Sequence, residues 1–194
     1  MRKLLWALVC SLIISPAVMA GDKNAAEEMI RHTLDEVILV LEAKDLSQED
    51  KTARITEIIT PMFAFSQMAK LTLGKKYWPG LSKEKKERFT ELFVKRLKDS
   101  YSKKLMLYTN EKVVYDKSVQ VDKKLQIQTH LVSDNNNISM IYKLYKLKDT
   151  WKIYDIEIQG VSIIQSYRSQ FSYILQNGTI EDIFSKLEEQ PVDS

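Results

Sequence analysis

The apolar residues change their spacing near Asn110, and that change divides the chain into two kinds of local structure. Before it, Met29, Leu34, Val37 (or Ile38) and Leu41 recur at helical intervals. Phe89, Phe93, Leu97, Tyr101, Leu105 and Tyr108 do the same, at steps of four and finally three. Residues spaced in this way share one side of an α-helix, so each run predicts a helix lying on a larger body. After Asn110 the period is two. Val113, Tyr115 and Val119 begin it, and Leu125, Ile127, Thr129 and Leu131 continue it against Gln126, Gln128 and His130. A two-residue period places alternate side chains on opposite faces of a strand, with one face buried. Helices first and sheet later define an α+β domain.

Punctuation refines this order. Ser47, with Asp50 three residues on, predicts the start of a helix that runs to near Pro61. Met62 to Leu71 reads as a short, very apolar helix ended at Gly74, and Trp78-Pro79-Gly80 as a turn. Ser82 caps the long helix that carries Phe89 to Tyr108. In the second half, strands are expected from Val113, from Leu125, over Ile138 to Leu147 and over Trp151 to Ile158. They are divided by turns at Asp134 to Asn137 and Lys148 to Thr150. This is an antiparallel meander of about four strands. Gly160 ends it, and Val161, Ile164, Tyr167, Phe171 and Ile174 return to helical spacing. A last short helix is expected from Thr179 to Leu187.

The first twenty residues have their own logic. Arg2 and Lys3 precede an apolar run from Leu4 to Ser15, and Val18 and Ala20 are small residues ahead of Gly21. That is the pattern of a secretory signal peptide over residues 1–20, cut before Gly21, and the run is short for a membrane span. A single domain over residues 21–194 is expected to remain, and the one cysteine, Cys10, would leave with the leader. An exported chain without disulfides is held by its core alone. Loss of Arg2 and Lys3 lowers the formal charge from +3 to +1. Acids interleave the lysines, so no block suited to nucleic acid exists. The expected compartment is the bacterial periplasm.

Catalytic and metal patterns are sparse. His32 and His130, the only histidines, have no ligand-like neighbours at metal spacing, and five glycines leave no phosphate loop. The segment WKIYDIEIQGVSIIQSYRSQF, Trp151 to Phe171, gathers the candidates. In a regular strand Asp155 and Glu157 share a side with Trp151 and Ile153. Two carboxylates on one side can serve acid-base chemistry. Arg168 can pair with one of them, tying the last long helix to the sheet, or meet a ligand phosphate. The other side would carry Tyr154, Ile156 and Ile158, joined by Tyr142, Leu144, Leu125 and Ile127. These line either a packed core or a hollow, and periodicity alone does not choose. Lysines within residues 83–86 and 95–104 are a candidate docking face for anionic partners, or an ordinary solvated helix face.

Two segments carry a family resemblance: FAFSQMAKLTLGKKYWPGLSKEKKERFTELF, Phe63 to Phe93, and YKLYKLKDTWKIYDIEIQGVSIIQSYRSQF, Tyr142 to Phe171. The second holds Trp151, Tyr154-Asp155, Gly160-Val161-Ser162, Tyr167-Arg168 and Phe171 in fixed order. The chain resembles the MlaC, or toluene-tolerance (Ttg2), family of periplasmic phospholipid-binding proteins. The resemblance implies an NTF2-like curved sheet wrapped by helices around an apolar pocket. It implies a glycerophospholipid as cargo, no cofactor and no catalysis. It also implies partners in an outer-membrane lipoprotein–porin complex and an inner-membrane MCE-domain protein with its ABC transporter. Trp151, Tyr154, Val161, Ile163, Tyr167 and Phe171 are implied in or beside the pocket, and Tyr142, Phe93, Leu97 and Tyr101 join them as candidate lipid-contacting residues. Asp155 and Arg168 are implied to support the fold, with a head-group contact open to Arg168. Ala64 departs from the family, whose members often have an aspartate between the two phenylalanines here. Another lipid, such as a hopanoid, and a small-molecule enzyme using Asp155 or Glu157 are the competing readings.

Overall fold

A computed structural model describes residues 16–105, 111–133 and 136–189. Six helices occupy Pro16–Glu42 (α1), Gln48–Ile59 (α2), Phe65–Tyr77 (α3), Lys83–Leu105 (α4), Ile163–Asn177 (α5) and Ile180–Glu188 (α6). The strands are Lys112–Tyr115 (β1), Val119–Val121 (β2), Lys124–Ser133 (β3), Asn136–Leu147 (β4), Thr150–Ile158 (β5) and Val161–Ser162 (β6). Residues 1–15, most of the expected leader, lie outside the described residues. So do 134 and 135 of the turn predicted between β3 and β4.

The caps explain where several helices begin. The Ser47 hydroxyl accepts from the Asp50 amide at the start of α2, and Ser82 does the same for Lys85 at the start of α4. Each satisfies a donor that has no partner inside the helix. Gly74 breaks α3 rather than ending it. Its φ of 70° and ψ of −177° belong to a region open almost only to glycine, and the chain resumes one more helical turn to Tyr77. The start of α3 lies three residues later than the apolar run suggested. Thr60–Met62 forms a 3-10 turn, and Phe63 makes a parallel bridge to Ile153 at the edge of β5. The Ala64 amide donates to the Ile153 carbonyl at 2.8 Å, so this loop extends the sheet.

The sheet is antiparallel and open, ordered β1-β3-β4-β5-β6, with β2 also paired to β3. Two corrections to the four-strand meander follow. The expected first strand is two, because residues 116–118 turn away before β2 meets the other end of β3. Val161 begins no helix; it pairs with Ile158 in a two-residue strand, and Ser162 caps α5 by accepting from the Gln165 amide.

A third correction concerns β5. Leu144 pairs with Ile153 but Lys143 with Asp155, which leaves Tyr154 as a β-bulge. The extra residue shifts the alternation by one. Trp151, Ile153, Ile156 and Ile158 therefore share one face, with Tyr142, Leu144, Leu125 and Ile127 of β4 and β3. Asp155 and Glu157 stand on the opposite face, and Tyr154 goes with them. Its ring meets Tyr145 edge-on at 6.0 Å, and the Lys124 ammonium lies 5.3 Å from its centroid.

Candidate functional site

The apolar face of the sheet is built from contiguous strands, and its burial is graded. Leu125, Ile127, Tyr142, Leu144, Trp151 and Ile153 are all buried. Toward the other end, Leu131, Ile138, Met140 and Ile158 are only half-buried. Helix α1 crosses this face. Trp151 Nε1 donates to the Asp22 carbonyl at 3.0 Å, Lys146 reaches the Asp22 carboxylate at 2.7 Å, and the Arg31 guanidinium lies 3.9 Å from the Tyr115 ring centroid. The arrangement can shelter apolar matter against one sheet face while leaving an end partly open.

A second apolar region lies among α4, α5 and α6. Phe89 and Phe93 stack 6.1 Å apart, Phe89 meets Phe171 edge-on at 5.6 Å, and Phe93 meets Tyr167 edge-on at 5.2 Å. Leu97 and Ile163 are buried in the same continuous core, and Tyr101 and Tyr167 are half-buried against it. Of the residues singled out in the sequence, Tyr142 and Trp151 thus stand on the inner sheet face. Phe93, Leu97, Tyr101, Ile163, Tyr167 and Phe171 belong to the helices. Tyr154 is on the outer face, and Val161, at 59% exposed, is the most open of the set.

Asp155 is buried and fully engaged. One carboxylate oxygen accepts from the Ser162 hydroxyl at 2.7 Å and from Lys143 at 3.2 Å; the other accepts from the Ile164 amide at 3.1 Å. Lys143 also pairs with Glu157 at 2.9 Å. Arg168 is therefore not the tie between α5 and the sheet; the Ser162 hydroxyl and the Ile164 amide at the start of α5 fill that role by donating to Asp155, while Lys143 joins β4 to β5. The exposed Arg168 guanidinium lies over Gly74 instead, where an added Cβ would come 3.4 Å from its Nη2. Both carboxylates are committed to structure, an arrangement unlike a pair of free acid-base groups. Among the described residues no group of three His, Cys, Asp or Glu side chains could hold a metal ion. The lysines of α4 are partly spoken for, since Lys83 pairs with Glu87, Lys85 with Glu181 and Lys95 with Asp99.

Burial pushes the Tyr142 phenol up to about 12; the nearby Thr129 hydroxyl opposes the rise and the Tyr115 phenol adds to it. A phenol that ionises near 10 when unfolded and near 12 when folded stabilises the fold fully below pH 10. That contribution disappears as pH rises from 10 through 12, a loss of about 2–3 kcal/mol for this group. Urea titrations at pH 9 and pH 11.5 should show the decline, and Tyr142→Phe should make it shallower. An unchanged slope in the variant would mean that other tyrosines dominate.

These features define an α+β protein with an open antiparallel sheet, wrapped by helices and offering an apolar face rather than converging catalytic groups. Residues 31–189 match the MlaC protein family, and the chain belongs to it. The toluene tolerance protein ttg2D of Pseudomonas putida is 23% identical over 124 residues, 63% of this chain. The match spans 58% of that relative's length. Among solved structures, a phospholipid-binding protein from Ralstonia solanacearum in complex with a phospholipid superposes with a TM-score of 0.75. It is 20% identical, and the superposition covers 84% of this chain and 94% of that one. The shared fold agrees with the NTF2-like architecture expected from the sequence.

Thr129 and Tyr115 were not singled out by sequence reasoning. The available signal was a polar residue in the apolar phase of a strand: Thr129 follows Leu125 and Ile127 at the same spacing.

Proposed function

We propose that the protein is a periplasmic carrier that holds a glycerophospholipid by its acyl chains and performs no chemistry on it. The observation that carries this reading is the fold match to a protein solved with a phospholipid bound, in a chain of the MlaC family. The inner sheet face, with Tyr142 and Trp151, would form one wall of the binding site. Phe93, Leu97, Tyr101, Ile163, Tyr167 and Phe171 would form or back the helical wall. Apolar burial at about 25 cal/mol per Å² would supply most of the affinity, less the cost of association. Among the described residues no helix is long and apolar enough to cross a membrane. Cleavage before Gly21 would release the carrier into the periplasm. Its partners would be an outer-membrane lipoprotein–porin complex and an inner-membrane MCE-domain protein with an ABC transporter, between which it would move phospholipid to maintain lipid asymmetry.

Native mass spectrometry on protein purified without added lipid tests the proposal. The expected result is a one-to-one adduct whose fragments identify a glycerophospholipid. A bound hopanoid would keep the carrier and change its cargo. A bare mass that persists after incubation with phospholipid vesicles would overturn the carrier.

A further inference from the structure

Two hydroxyls on the inner face have no partner. Tyr115 Oη and Thr129 Oγ1 are both shielded from solvent and make no hydrogen bond. Thr129 is 0% exposed. They are direct neighbours, because Tyr115 pairs with Thr129 across β1 and β3. A third hydroxyl stands close by on the same face. Tyr142 pairs with Ile127, one inward position along β3 from Thr129, and its Oη meets the Met140 sulfur at 3.7 Å beside the Thr129 hydroxyl. Thioether sulfur is a weak acceptor. Three adjacent strands thus bring three hydroxyls together in an otherwise apolar surface.

Buried polar groups are normally paired, because an unpaired one keeps its full desolvation penalty. Valine would fill the Thr129 site and phenylalanine the Tyr115 site without that penalty. The position of the cluster gives the reason a meaning. It stands between the sealed end of the face, with Leu125, Leu144 and Trp151, and the half-open end, with Leu131, Ile138 and Met140. A lipid entering chains first would place its linkage region at this level, below a head group left near solvent. All three groups can donate an O–H. Thr129 and Tyr142 are buried in apolar surroundings, which disfavour a charged ligand group at this level. The matching group is a neutral acceptor.

We infer that Tyr115, Thr129 and Tyr142 form a subsite for the ester carbonyls that join acyl chains to glycerol. The inference rests on the carrier reading above and specifies what such a carrier grips besides hydrocarbon. A diacyl lipid supplies these acceptors; a dialkyl ether lipid of the same head group and chain length does not.

The test is a competition. The lipid-free protein is incubated with vesicles holding equal amounts of a diester phosphatidylglycerol and its diether analogue, and the bound lipids are weighed by native mass spectrometry. Two or so neutral hydrogen bonds correspond to about a tenfold preference for the ester in the wild type. The double variant Tyr115→Phe with Thr129→Val should bring the ratio near one. Equal binding of the two lipids by the wild type would overturn the subsite while leaving the carrier intact. A preference that survives in a folded double variant would also overturn it. An unbiased wild type together with a higher melting temperature in the variant would assign the hydroxyls to a buried water. Binding of neither lipid would overturn the carrier reading and this inference with it. The wild-type ratio decides the matter even if the variant does not fold.

Discussion

Replacing Asp155 with alanine lowers the stability of the protein by about 3 kcal/mol, the low end of the cost of removing one member of a buried charge pair. The reason is local. The change strips the Ile164 amide and the Ser162 hydroxyl of their acceptor at the first turn of α5, and it leaves Lys143 with Glu157 alone. Because Lys143 retains that second partner, the loss stays below the upper end of the range. For a chain of this length the effect corresponds to a melting-temperature drop of roughly 10 °C. Asp155→Asn should fall between, since an amide oxygen can still accept from Ile164 while its NH2 group faces Lys143. Thermal unfolding followed by circular dichroism gives the comparison. A loss in Asp155→Ala under about 1 kcal/mol would show that α5 is positioned by apolar packing instead.

Phe89→Ala is expected to cost more, about 3–5 kcal/mol. Phe89 is 0% exposed, and its ring meets Trp78, Phe93, Phe171 and Phe184 with centroids 5.6–6.5 Å away. Those partners come from the turn before α4, from α4 itself, from α5 and from α6, so one truncation opens a cavity where several elements converge. Ion pairs also join α4 to α6: Lys85 to Glu181 at 2.8 Å, and Arg88 to Glu188 at 3.0 Å. All four side chains are about half exposed, and pairs of that kind contribute at most about 1 kcal/mol. The rings should therefore dominate. Urea unfolding of Phe89→Ala, Phe89→Leu and Glu181→Gln would test the order. Phe89→Leu should recover more than half of the loss, and Glu181→Gln should be nearly silent. Equal losses in Glu181→Gln and Phe89→Ala would reverse the ranking.

The sequence was most readable where a residue acts through its neighbours in the chain. Ser47 and Ser82 cap because the donors they satisfy lie three residues on; Gly74, expected to end a helix, was legible as a break but not as one the helix resumes after. The stripe of α4 reported a real buried side from Phe89 to Tyr101 for the same reason, while Tyr108 lies outside the described residues. It was least readable where pairing decides. Residues 116–118 look compatible with one long strand until β3 offers two separate places to pair. WKIYDIEI reads as regular alternation, and only the register between Lys143 and Leu144 shows that Tyr154 is extra. That single residue misplaced two others, assigning Trp151 and Ile153 to the side of the acids, and was itself assigned to the inner face. The unpartnered hydroxyls were hidden for a related reason: Thr129 and Tyr115 are unremarkable in their own strands, and only the pairing of β1 with β3 brings them together. The resemblance supplied the class of the protein, whereas the placement of Tyr154 on the outer face and the exposure of Val161 at the sheet edge required the strand pairing.

The bulge at Tyr154 also sets how this strand can change over evolutionary time. A point substitution there alters one side chain. A one-residue deletion there would leave Ile153 opposite Leu144 and Asp155 opposite Lys143, so regular pairing would return with Trp151, Ile153 and Ile156 still on the inner face and Asp155 and Glu157 still on the outer one. The two halves would also keep their ties, the first through Trp151 to α1 and the second through Asp155 to α5. Only the extra local twist of the bulge would be lost, so lineages of this chain should include both bulged and regular forms of the strand at this position.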